Sequence, residues 1–252
     1  MVLFKRGHRS LTLTRAGGEF LAAMRGPLLG IGSAVQQVRR ATDRTTVSLC
    51  AYPTFAIRWF IPRWSRFYDR HPGIDVRLTT SLAPVDFEHD DYDLAIQVMG
   101  RGAPPTGLAA HRLVDVETTP VCTPQLAARL RHPSDMRAVV LLHSEPRPTD
   151  WKRWLASAGV TDFDPIQGLR FESLNLAYQA AIEGLGVAMG IASLVEADLA
   201  GGRLVMPFSQ IRRTGGPMRL VYPADGLRYD GVRKLRDWLL AEAGRPAAPS
   251  DR

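Results

Sequence analysis

Residues 47–78, VSLCAYPTFAIRWFIPRWSRFYDRHPGIDVRL, decide the fold of this chain. Residues 47–51 form an apolar run that predicts a β-strand, and residues 53–70 predict a helix that begins at a Pro-Thr pair. The His-Pro-Gly sequence at residues 71–73 ends that helix, and the alternating residues 74–78 predict a second strand. A strand, a helix and a strand in this order are typical of an α/β fold with a parallel sheet.

The same alternation of strands and helices continues to residue 243. Further strands are predicted over residues 93–97, 117–122, 139–143, 169–171, 187–190 and 218–222. Further helices are predicted over residues 151–157, 175–183, 193–200 and 232–243. No stretch approaches the ~18 unbroken apolar residues of a membrane span, and the first residues lack the apolar core of a signal peptide. We therefore expect an α/β protein in the cytoplasm, with no membrane partner.

The net charge of +7 is concentrated near the N-terminus. Residues 1–44 hold eight basic and two acidic side chains, whereas the rest of the chain is almost neutral. A basic segment beside a neutral domain predicts an arm that binds a polyanion such as DNA. A solvated basic helix face would explain the same charges equally well.

An amphipathic helix is predicted within this basic segment. Residues 9–13 alternate and predict a short strand, after which Thr14 is a predicted N-cap. The helix is expected to continue to about residue 42, a length of ~40 Å at 1.5 Å per residue, with a kink at Gly26-Pro27. Its apolar stripe comprises Ala16, Phe20, Leu21, Met24, Leu28, Ile31, Val35 and Val38. Because one helix cannot bury its own stripe, a partner helix is expected.

The sequence contains no recognisable catalytic or metal-binding pattern. The six histidines are scattered, and there is no G-x-S-x-G elbow and no P-loop. Glycines 184, 186 and 190 follow a predicted helix and lead into a strand, which is the reverse of a dinucleotide-binding loop. The acidic residues between positions 86 and 93 are interpreted as a solvated loop rather than a cation site. We predict that the chain is not an enzyme and has no cofactor and no metal site.

One histidine and the two cysteines are interpreted mainly as structural residues. His143 ends an apolar strand, where it is either a base or, more simply, a capped histidine that lines a cleft. Cys50 and Cys122 lie far apart in apolar runs and are predicted to be reduced, buried thiols.

Residues 3–17, LFKRGHRSLTLTRAG, resemble the LysR-type pattern L-F-x-R-x-x-R-x-x-x-L-T-x-A-G. In that family this run forms the wing of a winged helix-turn-helix and the start of a linker helix. The resemblance extends to about Ala243, and the chain looks like the branch that includes the glycine-cleavage activator and the β-lactamase-inducing regulators. It is carried by residues 53–63, 75–78, 85–87, 93–96, 120–124, 141–143, 150–151, 179–186 and 237–240.

The resemblance implies two Rossmann-like α/β subdomains, arranged like a periplasmic binding protein, behind a remnant wing and a long linker helix. The expected domains are a wing (1–13), a linker helix (14–45), an effector-binding domain (46–245) and a tail (246–252). Within the effector-binding domain, lobe I is expected to comprise residues 46–118 and 218–245, and lobe II residues 119–217.

The family fold also implies a small-molecule site in the cleft between the lobes. By position, the expected ligand-binding residues are Thr54, Phe55, Ser81, Gln97, His143, Ser173 and Gly184. Each of these residues could instead be a cap or a packing residue. In the wing, Lys5, Arg6 and Arg9 are the expected contacts to DNA phosphates.

The resemblance implies a transcription regulator that binds promoter DNA and a small effector and forms a homodimer or homotetramer. Family members begin with a helix-turn-helix whose recognition helix reads the major groove, whereas this chain begins at the wing. We therefore expect the chain as written to contact phosphates without reading base sequence. The alternative hypothesis is a stand-alone solute-binding protein with the same bilobed fold, and an enzyme on this scaffold is a third.

Overall fold

A computed structural model describes residues 2–7, 11–24, 26–27, 46–100, 102–214 and 216–245. At the N-terminus, strands β1 (Phe4–Arg6) and β2 (Leu11–Leu13) form an antiparallel hairpin in which Phe4 pairs with Leu13. Helix α1 follows over residues 15–24, and residues 26–27 are also helical. The Thr14 hydroxyl accepts a hydrogen bond from the Gly17 amide at 2.9 Å, which confirms Thr14 as the N-cap. The predicted kink and the continuation to residue 42 extend outside the described residues.

Two five-stranded sheets form the body of the protein. The strands of the first sheet are β3 Thr46–Ala51, β4 Asp75–Thr80, β5 Leu94–Val98, β6 Leu108–Val114 and β12 Met218–Pro223. Their order across the sheet is β4-β3-β5-β12-β6. Strand β3 pairs in parallel with β4 and β5, whereas β12 is antiparallel to β5 and β6.

The strands of the second sheet are β7 Glu117–Val121, β8 Leu141–Ser144, β9 Leu169–Phe171, β10 Val187–Ile191 and β11 Arg212–Arg213. Their order is β11-β7-β10-β8-β9. Here β8 is parallel to β9 and β10, and β7 is antiparallel to β10 and β11.

Helices separate the strands in both sheets. Helix α2 spans residues 53–70 and is followed by α3 (Pro124–Ala127), α4 (Asp150–Ser157), α5 (Leu174–Ile182), α6 (Ala192–Ala200) and α7 (Asp230–Ala243). Short 3₁₀ turns cover Pro133–Ala138 and Ala224–Arg228. No helix among the described residues combines the length and the apolarity needed to cross a membrane.

Helix α2 contains a π-helical turn, Ala56–Phe60, between Pro53–Phe55 and Ile61–Arg70. The Ile61 amide donates to the Ala56 carbonyl, five residues back. The next residue, Pro62, has no amide hydrogen for the regular bond four residues back. The wider turn therefore lets the helix continue through a proline that would otherwise break it, and it holds Arg58 in its centre.

The chain crosses between the sheets twice, once between β6 and β7 and once between β11 and β12. The α/β class with two Rossmann-like units is confirmed, and the parallel pairing expected from the strand-helix alternation is present in both sheets. Each sheet is mixed because a chain that crosses between the sheets twice brings strands that run against the βαβ core. The lobe boundary expected after residue 118 falls inside β7, which begins at Glu117.

Sequence patterning did not predict strand β6. Its central residues are Ala109, Ala110, His111 and Arg112, which lack the β-branched side chains that favour strands. Pairing with β12 holds β6 in place, and His111 stacks on Tyr222 with a 2.8 Å hydrogen bond between its Nε2 and the Tyr222 hydroxyl. Tertiary pairing therefore outweighed local propensity at this strand.

Tyr178 anchors helix α5 to strand β10. Its side chain is fully buried, and its hydroxyl accepts a hydrogen bond from the Ile191 amide at 2.9 Å. Burial raises the pKa of Tyr178 to about 12, so the hydroxyl keeps its proton across the physiological range.

We expect Tyr178→Phe to lower the free energy of unfolding by about 1–3 kcal/mol, because the buried Ile191 amide loses its acceptor. Urea denaturation of the two proteins measures this difference. Tyr68→Phe is the matched control, since the Tyr68 side chain is exposed. Equal unfolding midpoints for Tyr178→Phe and the unmodified protein would contradict the assignment.

Candidate functional site

A cavity of about 270 Å³ lies between the two lobes. The first lobe contributes Tyr52, Pro53, Thr54, Leu82, Val98 and Met218, and the second contributes Ser144, Pro146, Arg147, Ser173, Leu174, Ile191 and Leu194. We refer to this cavity as the cleft. Both lobes supply its wall, so its shape depends on how the lobes sit against each other.

The N-terminal ends of three helices lie at the cleft. Helix α2 begins at Pro53, α5 begins behind its N-cap Ser173, and α6 begins behind Ile191. The caps of α2 and α6 make no side-chain capping bond, whereas the Ser173 hydroxyl accepts a hydrogen bond from the Leu176 amide at 3.4 Å. The unsatisfied amides and the helix dipoles favour negative charge at such ends.

One arginine and one unpartnered hydroxyl add to this electropositive wall. Arg147 pairs with the buried Asp150, with 3.1 Å between Nη2 and Oδ1. The Ser144 hydroxyl is buried and has no hydrogen-bond partner within the part of the chain that the structure describes. The residues that line the cleft include no carboxylate. The cleft is therefore suited to an anion that accepts hydrogen bonds.

Polar contacts around Arg58 join the lobes beside the cleft. Arg58 from α2 forms an ion pair with Asp198 of α6, and its Nε donates to the Asn175 side chain at 3.0 Å. Arg203 approaches the same carboxylate, with 2.8 Å between its Nε and Asp198 Oδ1. The Arg58 guanidinium also lies 5.3 Å from the centroid of the Tyr178 ring. The Asp198 side chain is almost completely buried by these partners.

Of the seven ligand-binding residues expected from sequence, Thr54 and Ser173 line the cleft. Phe55, next to Thr54, is fully buried and stacks on Trp59 with ring centroids 4.9 Å apart. Ser81 closes a local turn, since its hydroxyl accepts a hydrogen bond from the Ala83 amide at 3.0 Å. The neighbouring Leu82 contributes to the wall instead.

The other three expected residues lie outside the lining of the cleft. Gln97 precedes Val98 on β5 and therefore faces the opposite side of the sheet. His143 is buried, and its Nε2 lies 3.0 Å from the Gln167 carbonyl oxygen. Gly184 has a φ of 77° and follows α5, a backbone conformation that favours glycine. None of these three residues therefore contributes to the wall of the cleft.

Sequence reasoning missed Ser144 and Arg147. Ser144 could have been found, because it directly follows His143 at the carboxyl end of a parallel strand, where ligands bind in α/β sheets. Arg147 lies in an irregular segment before α4, and no sequence signal distinguishes it from the other arginines. The apolar residues that line the cleft were also missed. Apolar side chains occur at the end of almost every strand and helix, so the sequence does not mark these as part of a site.

The remaining residues singled out in the sequence are the basic residues of the wing and the acidic residues of one loop. Lys5 and Arg6 are exposed on β1, and Arg9 lies outside the described residues. Among the acidic residues, Asp86 and Glu88 lie with His89 in an exposed group whose ligand atoms fall within 4.8 Å of one another. The His89 ring bonds the Asp86 carboxylate at 2.8 Å, which raises the pKa of His89.

The two thiols are free and buried, as predicted. Burial raises the pKa of Cys122 to about 11 and also raises the pKa of Cys50. Both thiols therefore stay protonated at neutral pH, and neither has the lowered pKa of a reactive cysteine.

Known proteins share this architecture. Residues 40–244 match the LysR substrate binding domain family. The HTH-type transcriptional regulator PerR of Escherichia coli K12 is 34% identical over 244 residues, which cover 95% of this chain and 80% of that protein. The glycine cleavage system transcriptional activator of the same strain is 32% identical over 244 residues, 96% of this chain and 79% of the activator.

A solved structure agrees with these relatives. The effector domain of the transcriptional regulator AmpR of Pseudomonas aeruginosa superposes with a TM-score of 0.67 at 30% identity, over 79% of this chain and 95% of that domain. The family match covers most of the chain, and the structural match covers 79% of it. The chain therefore belongs to the LysR-type family of transcriptional regulators and contains the effector-binding domain of that family.

Proposed function

We propose that this LysR-type regulator senses a small anionic molecule in the cleft. The observation that carries the proposal is the convergence of three helix N-termini and Arg147 on a wall without a carboxylate. A carboxylate-bearing effector matches this wall, because free amides and a guanidinium are its preferred partners.

The size of the cleft favours a compact effector. Its volume of about 270 Å³ lies just below the ~300–1,000 Å³ of most small-molecule sites. Leu82, Leu174 and Leu194 give the cleft an apolar side as well. We therefore propose a small organic acid with a short apolar part, held by the carboxylate at Thr54 and Ser173.

The effector would act by changing the population of two lobe arrangements. A ligand shifts such an equilibrium only if it binds one arrangement more tightly than the other. Because residues of both lobes line the cleft, an effector that contacts both sides favours the arrangement that brings them together. The Arg58–Asp198 pair spans the same junction and would change with it.

The rest of the chain fits a DNA-bound oligomer. We propose that residues 1–13 are the wing, residues 14–45 the linker helix, residues 46–245 the effector-binding domain and residues 246–252 a tail. In this arrangement the protein acts in the cytoplasm on promoter DNA, as a homodimer or homotetramer, without enzymatic activity. The exposed apolar side chains of Ile57, Ile61 and Tyr68 follow one face of α2. We propose that this face pairs the effector-binding domains of two copies of the chain.

The cleft is tested with Thr54→Ala. A panel of small organic acids is first screened by thermal shift, and the best binder is then titrated by calorimetry. We expect the variant to lose about 1 kcal/mol or more of binding free energy, because one hydrogen bond to a charged group is removed. Thr80→Ala, on the exposed end of β4, is the control. Equal affinity for Thr54→Ala and Thr80→Ala would refute the contact, and a panel without any binder would count against an acidic effector.

The linker helix is tested with Leu21→Glu combined with Leu28→Glu. Leu21 is 42% exposed, as expected for a stripe that awaits a partner. Charges in the stripe should yield monomers or a weaker association, measured by sedimentation equilibrium. Ile166→Glu places a charge on an exposed residue of the second lobe and serves as the control. An unchanged mass for the double variant would argue against pairing through this helix.

The wing is tested with Lys5→Gln combined with Arg6→Gln. If both side chains bind phosphates, the variant should bind duplex DNA more weakly on every sequence. The plot of the logarithm of the association constant against the logarithm of the salt concentration has a negative slope. This slope should become less negative by about one for each phosphate that the variant no longer neutralises. Fluorescence anisotropy at several salt concentrations measures this, with Arg77→Gln as a control on the first sheet. An identical slope for the wing variant and the control would show that the wing does not touch the DNA backbone.

A further inference from the structure

A second cavity, of about 490 Å³, lies where the two crossings meet the first sheet. We call it the crossing cavity. Its lining residues are Arg112, Asp115, Val116, Glu117, Arg213, Thr214, Gly216, Pro217 and Arg219. Residues from both crossings form its wall, and the Thr214 amide donates to the Val116 carbonyl at 3.0 Å to join them. The crossing cavity and the cleft share none of their lining residues.

The charges in this cavity do not balance. Arg112 Nε lies 2.8 Å from Asp115 Oδ1, and Arg213 Nε lies 2.9 Å from Glu117 Oε1. Arg219 has no carboxylate partner among the described residues, and its Nη1 donates a long bond of 3.4 Å to the Gly102 carbonyl. The cavity therefore holds three guanidinium groups against two carboxylates.

The unpaired guanidinium also has an unused donor. Arg219 Nε is buried and lacks a hydrogen-bond partner within the described part of the chain, and so does Nε2 of Gln97. Arg219 pairs with Gln97 on one side and with Arg112 on the other, so the three side chains form one row on one face of the sheet. Buried donors of this kind are normally satisfied, and a charged one is costly to leave without an acceptor.

The strand geometry separates this row from the cleft. Met218 and Val98 are paired neighbours that line the cleft, and the residues next to them along the chain, Arg219 and Gln97, point to the opposite face. A ligand beside Arg219 is therefore separated from a ligand beside Thr54 by the sheet itself.

We propose that the crossing cavity binds a small oxyanion, a carboxylate or a phosphate, with Arg219 as its principal ligand. An oxyanion supplies the acceptor that the guanidinium lacks and balances the excess positive charge. The planar guanidinium can hold two oxygens of the same anion, and Gln97 and Arg112 lie beside it in the row. A neutral acceptor could take these hydrogen bonds, but it would leave the excess positive charge unbalanced.

The test is a calorimetric titration of the full chain with inorganic phosphate and, separately, with malonate, at an ionic strength held constant with sodium chloride. We expect saturable binding of at least one of the two anions to the unmodified protein. Arg219→Gln should weaken that binding at least about tenfold, the usual effect of removing hydrogen bonds to a charged group. The Arg112 side chain is largely exposed, so Arg112→Gln leaves Arg219 and Gln97 intact and should also weaken binding.

Two further variants distinguish the other outcomes. Arg77→Gln removes the same charge on β4, at the opposite edge of the sheet, and should leave binding unchanged. Thr54→Ala alters the cleft, so a loss of binding in this variant with retention in Arg219→Gln would place the anion in the cleft and overturn the proposal. Equal weakening by Arg77→Gln would show general electrostatic attraction and overturn it as well, as would the absence of saturable binding by either anion.

Discussion

The Asp198 carboxylate is removed from water and lies between two guanidinium groups, Arg58 from the first lobe and Arg203 from the second. A buried carboxylate is tolerated only when countercharges and hydrogen bonds replace its hydration. Since one of its partners belongs to each lobe, the solvation of this single charge depends on how the lobes are arranged. Arg58, which contacts it, lies within the π-helical turn of α2. The width of the cleft beside it therefore depends on an electrostatic contact as well as on the two crossings.

The two crossings impose the second constraint. They bring β7 and β11 into one sheet and β6 and β12 into the other, so each sheet combines a parallel core with antiparallel additions. In β12, alternate side chains then serve different purposes, because Met218 faces the cleft and Arg219 faces the crossing cavity. A displacement of this strand would change both cavities at once. The strand that connects the lobes is for this reason the element through which the two sites would influence each other.

If the cleft binds an anion as proposed, its preference would come mainly from the backbone. Helix ends supply amides and partial positive charge whatever the side chains are, so the general preference survives wide sequence variation. The side chains then decide which anion fits, through Thr54, Ser144 and the leucines of the wall.

The sequence by itself determined the α/β class, the N-cap at Thr14 and most strands and helices, because hydrophobic periodicity and capping chemistry act over a few residues. The family followed from the resemblance of its motifs to the LysR-type pattern. The sequence also placed Thr54 at a helix start, which is where Thr54 lines the cleft, and the family resemblance singled out Ser173. Only the tertiary structure decided that Phe55 belongs to the core, that Gln97 faces away from the cleft and that Ser144 and Arg147 enter it. Strand β6 and the pairing of Arg58 with Asp198 were likewise beyond local patterns, since they join residues far apart in the chain. Sequence periodicity specifies which face of an element is buried, whereas the partner that covers that face is chosen by the packing of the whole chain.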